Sequence, residues 1–272
     1  MKAVKIIGSI LAAAYLLVCV ALYVFQEVLI FHPRPRAQEY SYGNYPETYI
    51  EVEPGIRLNA ITIPAGQGRE ADGVILYLHG NKGDNGRSRH QTKSFAGGNY
   101  NTFLVDYRGY GKSGGQIGGE ENMTDDLQIV YDQLKTEYAE DHIIIVGYSL
   151  GTGPATYLAA RNNPQAVVLV APYTSLIDMK NQFFWMFPDF LMNYELNNLA
   201  NLVKVEAPVT ILHGTVDRLI PVSMGEVLAA ANPDKTTLVK LEGVSHRGAI
   251  FTPELPKTIA NLTRQPTAVA VE

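Results

Sequence analysis

The sequence predicts an α/β domain, a mostly parallel sheet with helices on both faces, preceded by one apolar N-terminal helix. Three observations predict it. Short β-branched runs alternate with helix-period segments along most of the chain, the signature of strands joined by crossover helices. Most of those runs are apolar throughout, as strands buried on both faces are. Residues 6–25 contain no charge at all. Composition agrees with a folded protein: of 272 residues 46% are hydrophobic and 18% charged, against roughly 25% charged in an average domain. That balance excludes intrinsic disorder. The net charge of −5 argues against a nucleic-acid partner, which needs a basic surface. The single cysteine, Cys19, excludes an intramolecular disulfide and a Cys-rich metal site.

The first element is the apolar run. Its 20 residues match the length that crosses a hydrocarbon core of roughly 30 Å. A cleaved signal peptide would have a shorter run followed by a small-x-small site, which residues 22–32 lack. A lipoprotein signal would place a small residue before the cysteine, where Val18 stands. A buried core helix would not be apolar on every face at the chain start. The expectation is an uncleaved single-pass anchor over residues 1–32. Lys2 and Lys5 precede the span and Arg34 and Arg36 follow it, so the bias toward an exported domain is slight. Tyr23, Phe25, Phe31 and His32 are expected at the far membrane interface. Residues 33–46 hold three prolines and read as a linker.

The remaining elements follow in order. Residues 48–52 and 58–63 flank Pro54-Gly55 and read as a hairpin. Strands are expected at 74–78, 102–105, 143–146, 166–170, 209–212 and 237–241. Helices are expected at 123–138, 150–161, 223–231 and 253–264, with Asp125 and Asp126 favourably placed in a first turn. These elements make one domain over 47–264, with an insertion at 171–208 and a flexible tail at 265–272.

The string Gly147-Tyr148-Ser149-Leu150-Gly151 is a G-x-S-x-G, weakly specific alone. It follows a strand and opens a helix, the context of a nucleophile elbow. There a sharp turn lifts the serine above the sheet edge, and Gly147 and Gly151 provide the room it needs. A serine hydroxyl needs a base to take its proton. Of six histidines, His246 lies in a loop after the last strand, at the sheet edge that carries Ser149. The acid falls between serine and histidine in this chain order. Asp217 does so just after a strand, while Asp178 and Asp189 in the insertion remain competing acids. Two N–H donors should face a developing oxyanion: that of Leu150, and that of Asn81 in the Gly-rich loop after the strand 74–78.

Two decoys fail. Gly111-Lys112-Ser113 lacks the upstream glycine of a phosphate loop, and Gly151-x-Gly153 has Thr156 where a dinucleotide fingerprint has its third glycine. No spaced cluster of metal ligands is present in the sequence, so neither metal nor cofactor is expected.

In the strings LYLHGNKGDNG, FLVDYRGYGKSGG, IIIVGYSLGTG, ILHGTVDRLIP and GVSH, the chain resembles the α/β-hydrolase superfamily. In particular it resembles membrane-anchored serine hydrolases with serine-aminopeptidase-like or lysophospholipase-like domains. The resemblance implies Ser149 as nucleophile, Asp217 as acid, His246 as base, and Asn81 and Leu150 as oxyanion donors. It also implies that residues 106–113 shape the loop near the site. Arg247-Gly248 follow the histidine, where relatives often carry a small polar or acidic residue. In the insertion, Phe183, Phe184 and Trp185 are expected as an apolar substrate wall. The function expected is hydrolysis of esters or thioesters with apolar acyl groups, lipids or acylated proteins, through an acyl-enzyme. The alternatives are a peptidase of the aminopeptidase type and a catalytically silent membrane-tethered binding protein.

Overall fold

The computed structural model describes residues 1–68 and 70–264; the expected flexible tail lies outside them. Helix α1 (Lys2–Ile30) is 29 residues long and apolar enough to cross a membrane. Strands β1 (Glu47–Glu53) and β2 (Ile56–Ile63) form the expected hairpin. There follow β3 (Val74–Leu78), α2 (Asn85–Gln91), β4 (Asn101–Val105), α3 (Glu120–Glu137), β5 (Ile143–Tyr148), α4 (Thr152–Ala159) and β6 (Ala166–Val170). The insertion holds α5 (Leu176–Phe184) and α6 (Asn198–Leu202). The chain closes with β7 (Val209–Gly214), α7 (Val222–Ala231), β8 (Thr236–Leu241) and α8 (Glu254–Leu262).

The eight strands make one sheet in the order β1-β2-β4-β3-β5-β6-β7-β8. The β1–β2 and β2–β4 pairs are antiparallel and all others parallel. Strand β5 shows why the core strands are apolar throughout. Its side chains alternate between faces: Ile143 and Ile145 pack in one core with Leu127 and Val130 of α3, and Ile144 and Val146 in the other with Leu255 and Ile259 of α8. The parallel register brings the C-terminal ends of β3, β5, β7 and β8 to one edge. Loops leaving that edge carry Asn81, Ser149, Asp217 and His246.

Helix starts follow local chemistry. Asp84, Ser175 and Asn197 each accept the N–H three residues on, capping α2, α5 and α6. Helix α3 begins at Glu120, earlier than the expected 123, with Glu120 and Glu121 in its first turn. Glu120 also accepts the N–H groups of Glu195 and Leu196 at 2.5 and 2.9 Å, tying the insertion to α3.

The region between α1 and the sheet departs from the expectation. Phe31 is buried in the domain core, edge-to-face with Tyr194 at 4.9 Å, so it does not sit at a far membrane interface. The prolines of 33–46 do not space the helix from the domain. Pro35 bridges Gly111, the Arg36 guanidinium meets both Asp84 oxygens at 3.1 and 2.9 Å, and Tyr42 is buried. A buried tyrosine and a two-pronged ion pair hold the segment down, and composition alone shows neither.

Candidate active site

Ser149 leaves β5 in a left-handed conformation, φ +52°, which a residue with a Cβ adopts only under constraint. The constraint is the close approach of its neighbours. A Cβ on Gly147 would lie 2.7 Å from the Gly151 carbonyl, and one on Gly151 only 2.1 Å from that of Leu78. The turn continues through a single 3-10 turn, Ser149–Gly151, into α4.

The Ser149 hydroxyl lies 3.0 Å from His246 Nε2, and His246 Nδ1 lies 2.7 Å from Asp217 Oδ2. An ionised carboxylate only accepts, so Nδ1 carries the proton and Nε2 is left to accept from the serine. The other Asp217 oxygen accepts the N–H groups of Leu219 and Ile220 at 2.9 and 2.8 Å. Burial raises the Asp217 carboxyl, but His246 and these two N–H groups outweigh it and hold the pKa below its ordinary value. Beneath, the buried His213 donates from Nε2 to the Ile220 carbonyl at 2.8 Å, fixing the loop that presents Asp217. The Tyr148 ring stacks on His246 with centroids 5.7 Å apart, and its hydroxyl donates to the His246 carbonyl at 3.3 Å. Burial pushes that phenol up to about 12, so it remains a donor at neutral pH. The competing acids are engaged elsewhere: Asp178 accepts from Thr174 and Asp189 pairs with Lys180, each at 2.6 Å.

Asn81 sits in the loop after β3. The peptide that carries its N–H has the Gly80 carbonyl at its other end, and that carbonyl accepts the Gly83 N–H and His79 Nδ1–H, each at 2.8 Å. The N–H and C=O of a trans peptide point in opposite directions, so these bonds fix where the Asn81 N–H aims. The next peptide is held too: the Asn81 carbonyl accepts from Tyr110 Oη at 2.9 Å and from the His32 N–H at 3.2 Å. The Asn81 side chain donates to the Ile30 carbonyl at 3.3 Å, at the end of α1. Tyr107 Oη donates to the His79 carbonyl at 2.8 Å. Residues 106–113 therefore clamp this loop through two tyrosine hydroxyls.

Ser149, Asn81 and Leu150 open into one apolar cavity of about 440 Å³. Phe183, Phe184 and Phe187 line it. Trp185 does not: it caps the C-terminus of α5 and is 75% exposed. Residues 176, 179, 180, 183 and 184 recur at helical spacing on the cavity side of α5, and 185, past its last turn, falls off that face. Sequence reasoning also missed Leu22, Gln26, Leu29 and Ile30 of α1, which line the same cavity. The available signal was Gln26-Glu27, a polar pair placed inside a helix just past the apolar run. A wider polar depression of about 800 Å³ beside α3, lined by Glu120, Asp125 and Arg161, shares only Met192 with the cavity at Ser149.

A family model described as serine aminopeptidase, S33, matches residues 69–202. The chain carries an α/β-hydrolase domain. It is 28% identical over 289 residues to the lysophosphatidylserine lipase ABHD12 of Danio rerio, an alignment covering 89% of this chain and 75% of that one. It is 35% identical over 183 residues to the human alpha/beta hydrolase domain-containing protein 17B, covering 64% of this chain and 60% of that relative. Among solved structures, the Pyrococcus furiosus esterase Pf2001 superposes with a TM-score of 0.64 at 19% identity, over 86% of this chain and 96% of that one. The Bacillus anthracis bromoperoxidase superposes with a TM-score of 0.63 at 16% identity, over 81% of this chain and 100% of the other. These two likenesses concern the fold of the hydrolase domain.

Proposed function

We propose that the chain is a membrane-anchored serine hydrolase that cleaves carboxylic esters or thioesters with apolar acyl groups. The observation that carries this reading is the Ser149–His246–Asp217 chain of contacts, 3.0 and 2.7 Å, on the floor of an apolar cavity. Ser149 Oγ attacks the acyl carbon while His246 Nε2 takes its proton, and Asp217 holds the imidazole and stabilises its charged form. The Asn81 and Leu150 N–H groups receive the oxyanion, each removal costing roughly 3 kcal/mol. His246 then protonates the leaving alcohol or thiol. Water, deprotonated by His246, releases the acid from the acyl-serine.

The cavity supports this reading over an aminopeptidase. Among the described residues no carboxylate lines it, and its one charged side chain is Lys180. A substrate α-ammonium group would find no counter-ion there, whereas an acyl chain finds phenylalanines and leucines. The family model's description keeps the peptidase as the second reading. The lipase named among the relatives supports a lipid-type substrate. Helix α1 supplies the anchor, and the slight charge bias around it favours a domain on the exported side.

A fluorophosphonate probe and a series of p-nitrophenyl esters test the proposal. We expect labelling of wild type, none of Ser149→Ala, and rates that rise with acyl length. Equal labelling of both proteins overturns the nucleophile assignment. Flat rates from acetyl to long chains overturn the apolar-acyl reading, and faster hydrolysis of aminoacyl anilides than of esters favours the peptidase.

A further inference from the structure

The cavity above Ser149 is not closed by the hydrolase domain alone. Leu22, Leu29 and Ile30 of α1 form one part of its wall, and Phe183, Phe184 and Phe187 of the insertion another. The two elements are joined at two heights. Near the C-terminal end of α1, Gln26 donates to the Leu191 carbonyl at 3.0 Å and accepts the Asn193 N–H at 2.7 Å. Eleven residues nearer the N-terminus, the Tyr15 hydroxyl donates to the Met186 carbonyl at 2.9 Å, and its ring stacks on Phe187 at 5.6 Å. At 1.5 Å per residue these joints are roughly 16 Å apart along the helix, about half of a hydrocarbon core of roughly 30 Å.

Tyr15 sits at the middle of the uncharged run 6–25. Whatever depth α1 takes in a bilayer, the insertion tip is tied beside its midpoint. The tip is furnished for that depth: Trp185, Met186 and Phe190 are 75%, 54% and 80% exposed. Its one charged residue, Asp189, is neutralised by Lys180 of α5 at 2.6 Å. An exposed apolar surface of this kind marks an interaction site, and here it is continuous with a helix long and apolar enough to span a membrane.

We propose that the insertion tip, residues 183–190, is immersed in one leaflet beside α1, and that the seam between α1 and α5 is a lateral passage between the bilayer hydrocarbon and Ser149. This rests on the reading of α1 as an anchor and of Ser149 as the nucleophile. An acyl chain then reaches the serine without exposing its methylenes to water, a transfer that is unfavourable for each of them. Leu22 and Leu29 are substrate-contacting residues of the anchor itself and set which chains fit.

The protein carries its own reporter, since Trp185 is the single tryptophan. The full chain is reconstituted in phosphatidylcholine vesicles, with either lipids brominated midway along the acyl chain or iodide in the water. We expect the brominated lipid to quench most of the Trp185 emission and iodide to quench little. Quenching by iodide with none by brominated lipid overturns the immersion. The passage is read with Leu22→Trp, which narrows the seam. The ratio of hexadecanoyl to butanoyl ester hydrolysis should fall at least about tenfold, and an unchanged ratio overturns the passage. Fluorophosphonate labelling in the same vesicles separates the two readings. Labelled Ser149 with iodide-quenched Trp185 sinks the immersion alone, and lipid-quenched Trp185 without labelling sinks the nucleophile alone.

Discussion

Around Ser149 the polar groups come from the ends of strands in one sheet, whereas the apolar wall comes from α1 and from the insertion at 171–208. On the polar side each functional atom is held by several bonds. Asp217 is fixed by two backbone N–H groups and His246, and the Asn81 loop by Tyr107, Tyr110, His79 and the Gly83 N–H. On the apolar side few polar bonds join the two walls, chiefly through Gln26, Tyr15 and the Tyr194–Glu27 contact at 2.9 Å. The contrast separates two requirements. Bond chemistry needs atoms fixed to within about half an ångström, while chain recognition needs area and tolerates adjustment.

The contrast breaks first, if it breaks, at Ser149. Ser149→Ala should cut ester hydrolysis by roughly 10⁴-fold or more while leaving the circular dichroism unchanged; retained turnover would place the chemistry elsewhere. Asp217→Asn should cost about 10³- to 10⁴-fold in kcat through loss of the fixed imidazole tautomer. A KM change with kcat intact would instead assign Asp217 to binding. Gly151→Ala tests how tightly the polar side is built. Its Cβ would meet the Leu78 carbonyl at 2.1 Å, so stability should fall by about 3 kcal/mol in urea unfolding.

The same side should be acid-sensitive. Burial lowers the His79 pKa from 6.5 to about 4. The folded state therefore holds His79 neutral while the unfolded chain protonates it first. Its contribution is full above pH 6.5 and is lost as pH falls toward 4, about 3 kcal/mol in all. His79→Gln should flatten the stability–pH curve across that window, and an unchanged slope would assign the loss to other groups. Burial favours the neutral form of Asp106 as well, an opposing contribution present in both proteins. The smallest effect belongs to the apolar side. Gln26→Ala removes two bonds to the insertion and should cost about 1–2 kcal/mol there. It should be read as faster proteolysis within 185–193 with little change in global unfolding. A large drop in global stability would mean that the two sides are one cooperative unit.

The division also explains what was legible in the sequence. Strands such as 143–146 and 166–170 were readable because burial on both faces leaves an uninterrupted apolar run. Ser149, Asp217 and His246 were nameable because each follows a strand in a chain order the fold imposes, and the structure brings them within bonding distance. The apolar wall was readable only in half. Phe183 and Phe184 face the cavity, but Trp185 does not, since three adjacent positions on a helix point in three directions. Leu22 and Leu29 carry no sequence signal of their role, because a leucine facing lipid and one facing a cavity are the same letter. The helices α2, α5 and α6 were not among those expected, and α2 and α6, 7 and 5 residues long, give too few turns to establish a period. Their caps, Asp84, Ser175 and Asn197, were the better sign. The segment 33–46 misled because its prolines describe the local backbone and not what Arg36 and Tyr42 can reach.

The stitch between the end of α1 and the Asn81 loop bears on how the protein can be handled. The Ile30 carbonyl and the His32 N–H are both bonded to Asn81. A shortened chain beginning at residue 33, the obvious choice for producing the protein without detergent, would remove both bonds and leave one side of the cavity open to solvent. Such a fragment, even when folded, would present Ser149 beside a cavity that lacks Leu22, Leu29 and Ile30. Inhibitors selected on it would be fitted to a pocket that the intact protein does not have.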